Sequence, residues 1–425
     1  MTTINDLPPE ILVHIFSYVL ESETQENFVK NVAKVCRMWE EASKDASLWR
    51  YFDGTLSFQI LKNYSKKGYL RQTKELVFSS LEKIKFKKND NDKINNFKLV
   101  ITKIYENMQE LKCINFSNAV KFLETRIGNV LIESSSCCIG LQKMIINDKN
   151  LVYYPAFSYN LFNNFIEFHG PKLVSLDFSN ILLKGVKELF LNIASSCPNL
   201  EELIVQNLNK QSSSPIFPVE VMQNGLPKLK VLRLGDTIIF KQKQSVKSNG
   251  FPNLEVFTHP TYSNYHFIDN HFKKILMKSP NLKVLDIRGT HISCAAVCSL
   301  PASNVERLYV SHTRLYDNPD FIDVLIKWGH SLTVLDISRT KNHHINDNFQ
   351  SLLKAGNLQN LENLDVNNTS IAVPTVKLLI QNCDQLKFLQ LESCRSFSRG
   401  LKRPYRGKKA LDDLLSKLDD VMEID

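Results

Sequence analysis

No run of eighteen apolar residues occurs anywhere in this 425-residue chain, which excludes a membrane-spanning helix, and no membrane partner is expected. The first residues lack the basic stretch and apolar core of a secretory signal, so none is expected. There is no glycine-rich phosphate loop, no Gly-x-Ser-x-Gly elbow and no His-Glu-x-x-His pair, and the expectation is a chain that is not an enzyme. The nine cysteines are odd in number and scattered, which fits reduced thiols in the cytoplasm or nucleus rather than a disulfide framework. The sequons at Asn63, Asn115 and Asn367 are then silent. Cys294 and Cys298 stand four apart on an expected helix near His291, but a tetrahedral zinc site needs further ligands at suitable spacing. Buried packing thiols are the better reading, and neither metal nor cofactor is expected.

What the chain does have is an ordinary globular balance, 43% hydrophobic and 23% charged, long enough for more than one structural unit. The net charge of +9 is concentrated in two places. Between Lys62 and Lys112 thirteen Lys or Arg face six Asp or Glu, and Arg395 to Lys409 holds seven basic residues and no acidic one. Two local patches, rather than a uniformly basic surface, argue against a general nucleic-acid binder. Aromatic residues are sparse within them, which weighs further against single-strand binding by base stacking.

Three short amphipathic patterns fill the first fifty residues. A helix is expected from Pro8–Pro9, where a missing N–H costs nothing, with Leu7, Ile11, Leu12, Ile15 and Phe16 at helical spacing. After a charged loop at Glu21–Glu26, a second helix carries Phe28, Val32, Val35, Cys36 and Trp39 on one face. A third turn carries Leu48, Trp49 and Phe52. So small a unit has more apolar surface than it can bury, which implies a partner. The order Leu-Pro, Ile-Phe, Val-Cys-x-x-Trp, Leu-Trp resembles an F-box, the module that docks its protein onto the Skp1 adaptor of a cullin-RING ubiquitin ligase. The resemblance covers about fifty residues and implies Leu7, Pro8, Ile11, Leu12, Ile15, Phe16, Val35, Cys36, Trp39, Leu48 and Trp49 as the Skp1-binding set. The loop between Val19 and Phe28 reads as longer than in most F-boxes.

The rest of the chain repeats itself. A Leu-x-x-Leu-x-Leu pattern, with conservative replacements, begins at Leu111, Leu141, Leu173, Leu200, Leu229, Leu254, Leu282, Val305, Leu332, Leu361 and Leu386, at intervals of 23 to 32 residues. Pro171, Pro198, Pro227, Pro252 and Pro280 each precede a first leucine by two residues, where each would end one repeat's helix before the next strand. Segments such as LDIRGT and LDVNNT resemble the strand and turn of leucine-rich repeats. The expected fold is therefore α/β: a small three-helix F-box followed by a curved leucine-rich-repeat solenoid, strands concave and helices convex. The expected boundaries are 1–53 for the F-box, 54–110 for a linker with degenerate first repeats, 111–394 for the solenoid, and 395–425 for a basic segment and capping helix. Within the linker a short strand, a helix near Glu75–Phe86, a polar loop at Lys87–Asn96 and a second helix are expected.

This arrangement resembles the F-box/leucine-rich-repeat family, substrate receptors of Skp1–cullin–F-box ligases. It implies Skp1, and through it cullin and RING subunits, as partners, with an unidentified protein substrate on the repeats. The first, fourth and sixth repeat positions point inward, so the third, fifth and seventh face the concave side. Arg233, Asp286, Arg288, Arg307, Tyr309, Asp336, Asn363, Asp365, Phe388 and Gln390 are the candidate substrate contacts there, with Thr258, Asn367 and Glu392 beside them. Arginine and tyrosine are frequent binding anchors, whereas aspartates in such strands also serve as structural ladders. Two rival readings remain: a Skp1-binding scaffold without ligase activity, favoured by the long loop, and an anion- or nucleic-acid-binding repeat protein. The run at 402–409 has the composition of a nuclear import signal. Leu411, Leu414, Leu415 and Leu418 follow at helical spacing, as a cap over the last repeat or a tail reaching the concave face.

Overall fold

A computed structural model describes residues 4, 7–53, 58–78, 91–117, 119, 123, 125–147, 157, 158, 160–208, 216–235, 238, 240, 249–261, 267–313, 315, 320–339 and 344–422. They fall into two compact units, Met1–Leu200 with Leu208–Ser212 and Glu201–Asn207 with Ser213–Asp425.

The first unit opens with helix α1, Pro9–Ser22, which begins on two prolines as expected. It runs a turn past Val19, where Glu23 N–H donates to the Val19 carbonyl (2.9 Å). A new helix, α2 (Gln25–Asn27), starts at once, its first turn capped by the Thr24 hydroxyl. The long loop read from the sequence is thus a two-residue link, Glu23–Thr24, because the polar residues on either side are helical. The second expected helix is also two pieces. After α2 a wide turn follows, closed by Ala33 N–H to Phe28 C=O (3.1 Å). Cys36 is then extended, and α3 begins afresh at Arg37–Ala42. An aromatic cluster closes this module: Phe16 meets Phe28 and Trp39 edge-on at 5.3 and 5.2 Å, and Trp49 meets Phe28, Phe52, Tyr64 and Tyr69 at 4.9–6.2 Å. The Trp49 indole N–H donates to the Ser43 carbonyl (2.6 Å), so its one polar atom is satisfied in the core.

Strand β1, Tyr51–Asp53, follows directly and starts a parallel sheet, continued by β2 (Glu75–Val77), β3 (Cys113–Asn115), β4 (Lys143–Ile145) and β5 (Ser175–Asp177). Glu75–Val77 is strand where a helix was expected. Residues 79–86 of that helix, and residues 87–90 of the expected polar loop, lie outside the described residues. Residues 91–96 of that loop are the start of helix α4, Asn91–Asn107.

In the second unit, β6 (Glu202–Val205), β7 (Val231–Leu234), β8 (Val256–Thr258), β9 (Val284–Asp286), β10 (Arg307–Tyr309), β11 (Val334–Asp336), β12 (Asn363–Asp365) and β13 (Phe388–Gln390) pair parallel without a slip. The first, fourth and sixth residues of each repeat form the core, as in Leu332, Leu335 and Ile337 or Leu361, Leu364 and Val366, all buried. Most of the described turns after a strand are built alike, Thr261 being the exception. The eighth residue is left-handed, with φ of 54–60° at Asn180, Asn207, His312, Arg339, Asn368 and Ser393 and 72° at Gly289. Where the ninth residue is threonine, as at 290, 313 and 369, its hydroxyl donates back to the sixth residue's carbonyl (2.7 Å). The prolines of the register lie at the helix-to-strand turns, and Asn199, Asn253 and Asn281 each donate to the proline carbonyl of the preceding repeat (2.7–3.2 Å).

Two predictions follow from this core. Asn368 tolerates its left-handed backbone because its short polar side chain is compatible with it, and a β-branched residue there is not. Asn368→Val is expected to lower stability by about 1–2 kcal/mol, and Asn368→Gly to change it by less than about 0.5 kcal/mol, in urea denaturation. The second concerns His259, which occupies a sixth, inward position amid Phe240, Phe267 and His271, with neither ring nitrogen hydrogen-bonded among the described residues. Burial, with the neighbouring His271, pushes it down to about 3 from the ordinary 6.5. It is neutral in the fold, so its contribution is intact above pH 6.5 and is lost as pH falls from 6.5 toward 3. The stability gap between His259→Leu and wild type should therefore move in the variant's favour by up to about 1.4 kcal/mol per pH unit across that window, read from melting curves.

Candidate functional site

The expected Skp1-binding set divides by burial. Leu12, Phe16, Leu48 and Trp49 are buried within the chain itself and form the module's core, so they support a docking surface without presenting one. Leu7, Ile15, Cys36 and Trp39 are half-buried, and Pro8 is exposed. Ile11 (46%) and Val35 (56%) are exposed apolar side chains. Tyr18 joins them at 60% exposure, seven residues along α1 from Ile11, with the His14 ring 5.0 Å away. Sequence reasoning passed over Tyr18, although its i+7 spacing from Ile11 puts both on one helical face.

The register of the second unit brings the candidate substrate contacts into two rows on one face of the sheet. The fifth-position row runs Arg233, Thr258, Asp286, Tyr309, Asp336, Asp365, Gln390, and the third-position row includes Arg307, Asn363 and Phe388 on neighbouring strands. Within the rows the roles separate. Asp286 is buried, and its oxygens accept from Arg288 Nε (2.9 Å) and Nη2 (2.7 Å), so it orients the arginine rather than meeting a substrate. The Arg288 guanidinium in turn lies 5.4 Å from the Tyr309 ring centroid, the cluster expected from their consecutive repeats. Arg307 is exposed on the next strand. Asp336 and Asp365 each spend one oxygen on the backbone N–H two residues on, at Ser338 (3.0 Å) and Asn367 (2.9 Å), and Gln390 does the same for Glu392 (3.2 Å). They are turn ladders with one free polar edge. Burial raises the Asp365 carboxyl above its ordinary range, partly opposed by the Asn367 N–H.

The C-terminal segment adds a strand the sequence did not disclose. β14, Pro404–Arg406, pairs antiparallel with β13, setting Arg406 opposite Phe388 and Pro404 opposite Gln390. Arg406 therefore joins the third-position row, its guanidinium 4.6 Å from the Phe388 ring centroid. Helix α5, Lys408–Met422, then packs on the last repeat's helix with Leu411, Leu414 and Leu418 buried. Both readings of the tail contribute: the helix covers the repeat end and the strand reaches the outer face.

The cysteines behave as packing groups. Cys294 is buried, donates to the Leu315 carbonyl (3.0 Å), and is pushed by burial up to about 12. All nine cysteines are free. Among the described residues no cluster of three or more His, Cys, Asp or Glu is placed to hold a metal, and no helix is long and apolar enough to cross a membrane. In the first unit a cavity of about 710 Å³ is lined by Phe165, Phe168, Asn164 and Glu133, with buried His169 beside it held down to about 4, chiefly by burial. Glu133 there is paired with Lys98 (2.8 Å).

These features define an α/β leucine-rich-repeat protein with a helical module at its N-terminus. Residues 4–54 match the F-box-like family, so the chain carries an F-box-like domain ahead of its repeats. A comparison with curated proteins gives no match. Among solved structures the chain is similar to a yeast Rad7 and Elc1 complex (15% identity, 85% of this chain and 88% of that chain, TM-score 0.48). It is also similar to an internalin from Listeria monocytogenes (15% identity, 67% and 75%, TM-score 0.40) and a Bacteroides fragilis protein (14% identity, 56% and 66%, TM-score 0.32).

Because Asp286 is buried and Arg288 half-exposed, removing the arginine alone leaves an uncompensated carboxylate. Arg288→Ala should cost about 1–3 kcal/mol, and Asp286→Ala combined with it should recover most of the loss, in a double-mutant cycle by urea denaturation.

Proposed function

We propose that this protein is a substrate-recognition subunit of a Skp1–cullin–F-box ubiquitin ligase in the cytoplasm or nucleus. Its F-box-like domain docks Skp1, which brings cullin and RING subunits, and its repeats hold a protein substrate. The observation that carries the reading is the F-box-like match over residues 4–54 on a module that closes its own aromatic core yet leaves Ile11, Tyr18 and Val35 exposed. Exposed apolar side chains on a module of this family are candidates for a protein interface. The chain then contributes no reacting group. It raises the local concentration of substrate lysines beside a separately recruited ubiquitin donor. Tyr309, Arg288 and Arg307 on the outer face of the second unit's sheet are the contacts we assign to substrate.

The scaffold alternative drew its support from a long interhelical loop, and the two-residue link at Glu23–Thr24 removes that support. Co-purification with Skp1 and the cullin tests the proposal. Ile11→Asp combined with Tyr18→Asp and Val35→Asp should reduce Skp1 recovery at least about tenfold while circular dichroism stays unchanged, since all three side chains lie outside the core. Wild-type protein that retains no Skp1 would sink the reading, and retention of Skp1 without cullin would favour the scaffold.

A further inference from the structure

Several lysines of the second unit are paired with carboxylates. Lys230 pairs with Glu201 (2.9 Å), Lys283 with Glu255 (2.9 Å), Lys274 with Glu220 (2.7 Å), Lys387 with Glu362 (3.0 Å) and Lys377 with Asp419 (2.7 Å). Lys273, Lys278, Lys354 and Arg307 have no ion pair among the described residues, and such cations are densest at the C-terminal end. The seven cations between Arg395 and Lys409 form no ion pair with any described residue, and all but Lys402 are exposed. Asp412 and Asp413, one helical turn beyond Lys408 and Lys409, pair with neither.

These cations stand on folded backbone rather than a loose tail. Tyr405 is buried and donates its hydroxyl to the Leu401 carbonyl (3.1 Å), anchoring β14, and α5 is anchored by its leucines. The Arg403 guanidinium lies 5.1 Å from the Tyr405 ring centroid, and Arg406 lies over Phe388. Cation–π attraction favours these placements without consuming the guanidinium N–H donors. Basic residues at a sheet edge also deter strand pairing, but that role concerns β14 alone, while Arg395, Arg399, Lys408 and Lys409 lie outside it.

We propose that this C-terminal end is a docking surface for an acidic segment of a protein partner, a stretch rich in Asp and Glu that supplies the carboxylates the fold withholds. A peptide fits better than a nucleic acid because the ring faces that base stacking would use are occupied by Arg403 and Arg406. The folded state of β14 also counts against the run at 402–409 being read as an extended import signal. This surface is independent of adaptor docking, which Skp1 co-purification reads separately.

The test is fluorescence anisotropy on the full chain, with a labelled glutamate-rich peptide, its glutamine counterpart, and a uridine-rich single-stranded RNA of equal charge. The glutamate peptide should bind, weaken as salt rises, and outcompete both others. Arg403→Glu combined with Arg406→Glu and Lys408→Glu should weaken it about tenfold. The same charge change placed elsewhere, Lys187→Glu with Lys278→Glu and Lys354→Glu, should leave affinity within about twofold. If the reversal variant misfolds by circular dichroism, Arg403→Gln with Arg406→Gln and Lys408→Gln carries the same expectation of weakened binding. Equal loss in the distant variant, tighter binding of the RNA, or no binding of the glutamate peptide would each overturn the proposal.

Discussion

Everything in the repeat region depends on one constraint: a three-residue strand cannot bury its own apolar face. Around its strand each repeat offers the core its first, fourth and sixth side chains, so it is stable only when the next repeat pairs with it in the same register. The register is unbroken from Val231 to Gln390. A slip of one residue would turn every core side chain outward. The left-handed eighth residue supports this register at seven repeats, turning the chain out of the strand at the same point, and at 290, 313 and 369 the ninth residue's hydroxyl closes the turn.

That constraint also divides the outer face into structural and available chemistry. A fifth-position carboxylate is first a turn ligand, because its oxygen reaches the N–H two residues on, as at Asp336 and Asp365. Asp286 is taken up further still, by Arg288. What remains for recognition is the side chains the turn does not use: Tyr309, Arg307, and the Arg288 fork where it faces solvent. The acidic residues that dominate the motif by eye are therefore largely taken up by the fold, and the arginines and tyrosine between them are less so.

How far the sequence discloses this follows from which signals are periodic. The leucine and proline registers repeat, so the core, the strands and the rows on the outer face are legible. The eighth residue is not, since Asn, His, Arg, Ser and Gly all occupy it with a left-handed backbone, and Thr261 occupies it without one. The helix break at Cys36 is equally hidden, because Phe28, Val32, Val35 and Trp39 keep helical spacing whether the helix is continuous or restarted. Charge misleads at Glu21–Glu26: a polar run reads as a loop, yet these residues lie on or beside the ends of two helices, where exposure imposes no apolar pattern. In the F-box-like set, motif matching alone does not separate Leu12, Phe16 and Trp49, which build the core, from Ile11 and Val35, which face outward.

The end of the second unit shows why β14 escaped a reading by pattern. A final repeat leaves two surfaces uncovered, the apolar flank of its helix and the hydrogen-bonding edge of its strand. Leucines at helical spacing announce the cover for the first, and α5 supplies it. The second is covered by Pro404–Arg406, a segment with one inward residue, Tyr405, and no alternation long enough to register as strand. Thirteen residues separate Gln390 from Pro404, against twenty or more between successive parallel strands of this unit, and over that short return the chain comes back antiparallel. The same return sets the basic run on rigid backbone at the sheet's edge. A run with the composition of a nuclear import signal is, in the fold, an array of cations that form no ion pair among the described residues.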